Sequence, residues 1–266
     1  ERNMNIVSFA RVAPLVTGWW AEKGSQWDPA APDSGTQQEI MDRLVEEQRN
    51  VVIGSWSDGS APAFDIVCQE MFGYTFAPKA DSDYNVFTAD YFAIPEMLLD
   101  GDGAVGNTAP LWGTARYLDE NGDPMHAPLY HNGKSLEELG YGVPTLNNLI
   151  ATKEFMSKNE EAAVGYLQAW NKGISWLMED PMGRILENKE TNFKKLGVEN
   201  EQQAQYLVDW ALNLEHDNPY PAVFEDQEYT DELINTNRDF LNSAQGSGFV
   251  PEEWADHLSY KKLPQE

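Results

Sequence analysis

The stretch from Asn50 to Gly73, NVVIGSWSDGSAPAFDIVCQEMFG, constrains the fold of this chain more than any other. Val51, Val52 and Ile53 form an apolar run too short for a helix and bounded by turn residues, so they read as a strand. Gly54 to Ser60 is a loop of small and hydroxyl side chains. Pro62 then falls in a first helical turn, Phe64, Val67, Cys68 and Met71 recur at helical spacing, and Gly73 stands at the C-terminal cap. A strand that feeds a helix through such a loop leaves backbone N–H groups and hydroxyls free at one end. That geometry suits an anion or another polar ligand group, although the same pattern also serves as a plain connection.

The pattern recurs along the first half of the chain. Strands are expected at 4–10, 84–88, 103–107 and 127–131. Helices are expected at 15–23, 36–48, 89–99 and 113–120, and Thr36 with Glu39 makes a capping box for the second of these. Alternating strands and helices predict an α/β unit with a mostly parallel sheet. Beyond Gly140 the character turns helical. Ser157 and Glu160 suggest a capping box, and Ala163, Leu167, Trp170, Ile174 and Leu177 form the stripe of a long helix. Further helices are expected at 201–214 (Tyr206, Leu207, Trp210, Leu214), 231–243 and 251–258.

Charge narrows the partners. The 266 residues carry 44 acidic side chains against 18 Lys and Arg, a formal charge of −26 spread along the chain. Such a surface repels nucleic-acid phosphates and anionic membranes. A hydrophobic fraction of 41% with nine Trp excludes a disordered chain. The single cysteine, Cys68, cannot make an internal disulfide and reads as a small buried hydrophobe. No run approaches the ~20 apolar residues of a membrane span, and the start at Glu1 is expected to be that of a processed, mature form.

Catalytic and metal patterns are weak. His126, His131, His216 and His257 lack ligand spacing. Asp100-Gly-Asp102-Gly opens like a calcium loop but fails at Ala104 and Leu111. In Gly54-Ser55-Trp56-Ser57-Asp58-Gly59, Trp56 occupies the position a nucleophilic serine would need. No catalytic residue, cofactor or metal is expected. What remains are polar and aromatic residues at predicted strand ends, where open α/β sheets bind ligands. These are Arg11, Ser55, Trp56, Ser57, Ser60, Asn107, Thr108 and Trp112.

Between about Val51 and Asp180 the chain resembles the type II periplasmic solute-binding proteins, specifically the NMT1/THI5-like branch that serves ABC importers of nitrate, taurine and sulfonates. The residues that carry the resemblance are NVVIGSWSDGSAPAFDIVCQEMFGY, IPEMLLDGDGAVGNTAPLWGTARYLDENGD and LIATKEFMSKNEEAAVGYLQAWNKGISWLMEDP. The segment DYNVFTADYFAIPEMLLDGDGAVGNTAPLW is also similar to the glycine-betaine and choline-binding branch.

The resemblance implies a two-lobed α/β fold with a helical C-terminal portion, in which residues 1–55 and 146–266 form lobe one and 56–145 form lobe two. Ligand contacts would come from the Ser55–Ser57–Ser60 loop and from Asn107, Thr108 and Trp112. Arg11 and Pro14 would contribute from lobe one, with Thr145, Asn147 and Asn148 near the return crossing. Only about 50 residues precede Ser55, fewer than the family usually carries, so lobe one is expected to be compact or partial.

The implied function is an extracytoplasmic, monomeric, non-enzymatic binding protein that delivers a small sulfonate- or carboxylate-type anion to an ABC transporter permease. A quaternary ammonium ligand, or an enzyme on the same fold acting on a small heterocycle, are the alternatives.

Overall fold

The computed structural model describes residues 5–76, 82–212, 220–222 and 227–263. Met4, Leu214 and His216, which the sequence brought into elements or candidate sites, lie outside them. The strands are β1 Ile6–Pro14, β2 Gly18–Glu22, β3 Asn50–Ile53, β4 Asn85–Thr88, β5 Val105–Thr108, β6 His126–His131, β7 Thr145–Thr152 and β8 Leu258–Tyr260. The helices of the first half are α1 Gln37–Glu46, α2 Ala61–Val67, α3 Ile94–Leu99 and α4 Asn132–Glu138. Those of the second half are α5 Lys153–Lys158, α6 Glu160–Glu179, α7 Pro181–Glu187, α8 Lys189–Leu196, α9 Glu201–Ala211, α10 Asp231–Gly246 and α11 Trp254–His257.

Five strands form one sheet in the order β4-β3-β5-β2-β6. β3 runs parallel to β4 and β5, but β2 is antiparallel to both of its neighbours. The sheet is therefore mixed, because a strand stands where a helix was expected at 15–23. A short run with two adjacent tryptophans satisfies either periodicity; burial decides it here. Trp19 and Trp20 point to opposite faces of the sheet, each into its own core, and neither exceeds 3% exposure. Trp19 meets Phe64, Phe76, Tyr84 and Tyr130 with ring centroids 5.1–5.7 Å apart. Trp20 joins Val52, Ile94, Leu98 and Trp210 on the other side.

The central stretch folds as its spacing predicts. β3 leads into the loop and α2, a π-helical turn continues over Cys68–Phe72, and Gly73 caps it with φ 78°. The α1 capping box forms, with Glu39 N–H on Thr36 Oγ1 and Thr36 N–H on Glu39 Oε2. Other expectations fail locally. Residues 113–120 hold only a 3₁₀ turn, Thr114–Arg116, before the chain extends. Asn159, not Ser157, precedes α6, and the Ser157 hydroxyl bonds the Glu154 carbonyl instead.

A second sheet of three strands has the order β7-β1-β8. β1 and β7 form an antiparallel ribbon in which Arg11 faces Asn148 and Pro14 faces Thr145. Leu15 N–H bonds Pro144 O at 3.0 Å where the ribbon meets the five-stranded sheet. The lobe boundary expected at residue 55 cuts through that five-stranded sheet, since β2 and β3 before it are hydrogen-bonded into the same sheet as β4, β5 and β6 after it. Of the stripe on α6, Ala163 and Leu167 are buried against β1 and α5, while Trp170, Ile174 and Leu177 are only partly covered.

Candidate functional site

The loop after β3 is shaped by its own side chains. Ser55 Oγ accepts the Ser57 N–H at 3.1 Å and lies 2.8 Å from Ser57 Oγ. Asp58 then gathers three donors. Its Oδ1 accepts the Ser60 N–H at 3.0 Å, and its Oδ2 accepts Asn107 Nδ2 at 2.8 Å and the Tyr91 hydroxyl. Burial, and the hydrogen bond to Asp58 after it, push the Tyr91 phenol up from its ordinary value, so its proton stays in place as a donor. One carboxylate thus joins the ends of β3 and β5 and the turn ahead of α3.

Across from this loop stand β7 and α10. Asn237 lies on the apolar face of α10, three residues ahead of Phe240, and is 3% exposed. Its Oδ1 accepts the Thr145 N–H at 2.9 Å and the Thr145 hydroxyl at 3.2 Å. The Thr145 hydroxyl is also 2.8 Å from Asn148 Oδ1, an atom that accepts the Tyr229 hydroxyl as well. Burial pushes the Tyr229 phenol up to about 12.

Between the two walls lies a cleft of about 310 Å³. Trp56, Ser57 and Asp58 line it from the loop, Thr145 and Asn148 from β7, Phe240 from α10, Phe249 from the segment after α10, and Tyr260 from β8. Asp58 is the one acidic or basic side chain among its described lining residues. The cleft is concave, largely apolar and aromatic, and carries a few placed polar groups, as small-molecule sites do.

The predicted site residues divide accordingly. Trp56, Ser57 and Thr145 line the cleft, and Ser55 braces Ser57 from behind. Ser60, Asn107 and Thr108 are fully buried; the Ser60 N–H and Asn107 Nδ2 hold Asp58, while the Thr108 hydroxyl lies 3.5 Å from the Trp112 carbonyl. Trp112 packs on Tyr91 with centroids 6.2 Å apart, outside the cleft lining. Asn147 faces outward opposite Ala13. Arg11 sits opposite Asn148 on the ribbon and close enough to Tyr229 for its charge to lower that phenol slightly. Pro14 pairs with Thr145.

Sequence reasoning missed Asp58, Tyr91, Asn237 and Tyr229. Only Asn237 left a signal there, as a polar residue on an apolar helical stripe. Among the described residues no three His, Cys, Asp or Glu side chains gather as a metal site.

No protein-family model matches the chain, and no curated protein sequence does. Solved structures do. The periplasmic aliphatic sulphonate-binding protein SsuA from Escherichia coli superposes with a TM-score of 0.59 at 12% identity, over 98% of this chain and 71% of that one. The zinc-bound ligand-binding component of an ABC-type import system from Staphylococcus aureus gives 0.56 at 10% identity, over 96% and 72%. A putative periplasmic sulfonate-binding protein SsuA from Methylobacillus flagellatus gives 0.52 at 16% identity, over 96% and 67%. At these identities the likeness is one of fold: the chain has the two-lobed α/β fold of the periplasmic binding proteins.

Proposed function

We propose that this protein is an extracytoplasmic solute-binding component of an ABC importer, which holds a small molecule in the cleft and presents it to a membrane permease. The observation that carries the reading is the cleft itself, walled by Trp56 and Ser57 on one side and by the Thr145–Asn148–Asn237 cluster on the other, in a chain with this fold. The division into lobes follows the sheets: one lobe runs from about residue 15 to 144, and the rest attaches through the β1–β7 ribbon. The ribbon supplies the two crossings, and ligand binding shifts the population toward a closed cleft. The protein works as a monomer without turnover. No helix among the described residues is long and apolar enough to cross a membrane.

A small sulfonate or carboxylate is the first ligand class, supported by the sulfonate-binding neighbours and by Arg11, placed opposite the cleft residue Asn148. A quaternary ammonium is the second, favoured by Asp58 as the one charged group among the described lining residues and by the aromatic rings of Trp56, Phe240, Phe249 and Tyr260.

A thermal-shift screen against taurine, short alkyl sulfonates, small carboxylates, glycine betaine and choline separates the two. A ligand at 100 times its dissociation constant stabilises the fold by about 2.7 kcal/mol, an upward shift of roughly 2–4 °C. A shift confined to one chemical class and removed by Trp56→Ala assigns that class. No shift with any compound from folded, ligand-free protein sinks the proposal, and turnover of one of them revives an enzyme on this fold.

A further inference from the structure

Tyr91 is not among the residues that line the cleft, yet it touches both of the strand-end loops. Its hydroxyl donates to Asp58 in the first, and its ring lies against Trp112 in the second at an interplanar angle of 36°. It also explains a glycine. The backbone of Gly54 does not adopt a positive φ, so nothing in its own conformation demands the absence of a side chain. A Cβ there would instead collide with the Tyr91 ring. The ring thus occupies the space directly over the start of the loop, and the hydroxyl reaches on to the carboxylate at its middle.

The base that carries Tyr91 is itself fixed. Ala89 N–H bonds Ile53 O at 2.9 Å, and Asp90 receives the Phe92 N–H on Oδ1 and the Ala93 N–H on its carbonyl, each at 2.9 Å. A phenol mounted on a hydrogen-bonded turn has little freedom, so it can impose an orientation on the loop it meets. Asn107 Nδ2 and the Ser60 N–H donate to the same carboxylate from β5 and from the start of α2. Tyr91 is the contact that reaches it from the turn ahead of α3.

We propose that Tyr91 is a positioning residue, whose hydroxyl and ring hold the Gly54–Ser60 loop so that Trp56 and Ser57 face the cleft in binding geometry. The proposal rests on the cleft being the ligand site. It predicts that ligand capture depends on a phenol–carboxylate contact made by a residue outside the lining.

Two variants test it. Tyr91→Phe keeps the ring and removes the hydroxyl, while Gly54→Ala retains both the Tyr91 hydroxyl and the Asp58 carboxylate but displaces the ring. Hydrogen–deuterium exchange of the 55–60 amides is followed with the thermal midpoint and with calorimetric titration of taurine and of glycine betaine. Exchange at 55–60 should accelerate at least tenfold in both variants, with β3 and β5 amides unchanged. The affinity for whichever compound the wild type binds should fall at least tenfold. Unchanged exchange in Tyr91→Phe overturns the proposal. So does acceleration spread over the whole sheet, or a loosened loop that binds as tightly as before. Wild-type protein that binds neither compound counts against the solute-binding reading, and the exchange data alone then decide the role of Tyr91.

Discussion

His126 has both a buried environment and a fixed tautomer. It is 1% exposed, its Nε2 stands 2.8 Å from the Pro95 carbonyl, and its ring meets Tyr117 edge-on. A carbonyl can only accept, so Nε2 carries the proton and the neutral ring is the bound form. Burial pulls the imidazole down to about 4, opposed weakly by the Pro95 carbonyl. An unfolded histidine titrates near 6.5. Between these values the unfolded chain binds a proton that the folded chain refuses, so stability falls as pH drops from about 6.5 to about 4. The loss is on the order of 3 kcal/mol. His126→Gln keeps a donor for the carbonyl and has no proton to take up. Urea unfolding at pH 7 and pH 4.5 should therefore show a smaller loss in the variant than in the wild type, and equal losses would refute the assignment. Cys68 also reflects burial: fully enclosed and beside the Tyr130 hydroxyl, its thiol is pushed up to about 12, away from the reactive thiolate. Its place on the apolar face of a helix was readable from spacing alone. Tyr91 and Asp58 were not readable, because their roles come from contacts 33 positions apart that only the closed sheet creates.

Elements with strong local signals were legible and those decided by tertiary burial were not. β3, β4, β5 and β6, α1, α9 and α10 all appear near their predicted places because strand patterns, helical stripes and caps agree there. β2 was hidden, since five residues with two tryptophans satisfy a helix and a strand equally well until neighbouring strands claim their backbone. β7 was anticipated only as a chain crossing; its partner β1 lies more than 130 positions away, and no local pattern announces such a pairing. α10 matters most for the site because it carries Asn237 and Phe240 to the cleft. Its N-terminus is capped by Thr230 Oγ1, which accepts the Leu233 N–H at 3.1 Å, with Asp231 and Glu232 in the first turn. Thr230→Ala should cost about 1 kcal/mol by leaving that N–H without its acceptor. The midpoint of thermal unfolding should fall by roughly 2–4 °C. Ligand affinity should hold, because Thr230 does not line the cleft. A midpoint equal to the wild type would mean that the cap contributes nothing.

At the scale of the whole molecule, the fold class was legible from alternation and resemblance, whereas the entry of the chain into the five-stranded sheet through β2, ahead of the Asn50–Gly73 stretch, was not. The surface is the remaining large feature, and it works against the fold. With 44 acidic groups and 18 basic ones, most carboxylates have no cation to pair with. Ion pairs such as Arg116–Glu199 and Lys189–Glu201 are exposed, and exposed pairs contribute little. Self-repulsion at −26 is therefore only weakly offset and should destabilise the compact state at low ionic strength. Screening relieves it: the Debye length shrinks from about 30 Å at 0.01 M to about 3 Å at 1 M, well inside the spacing of neighbouring surface charges. The thermal midpoint should thus rise continuously between 0.01 M and 1 M sodium chloride. The steepest part should lie below about 0.15 M, where the Debye length is still roughly 8 Å. Choline chloride, with a bulkier cation, should act alike if screening alone is responsible. A midpoint that is flat or falls with salt would show that local pairing, not net charge, governs the electrostatics of this surface. A rise seen with choline chloride but not with sodium chloride would instead point to binding of the choline cation in the cleft, where Asp58 supplies a carboxylate.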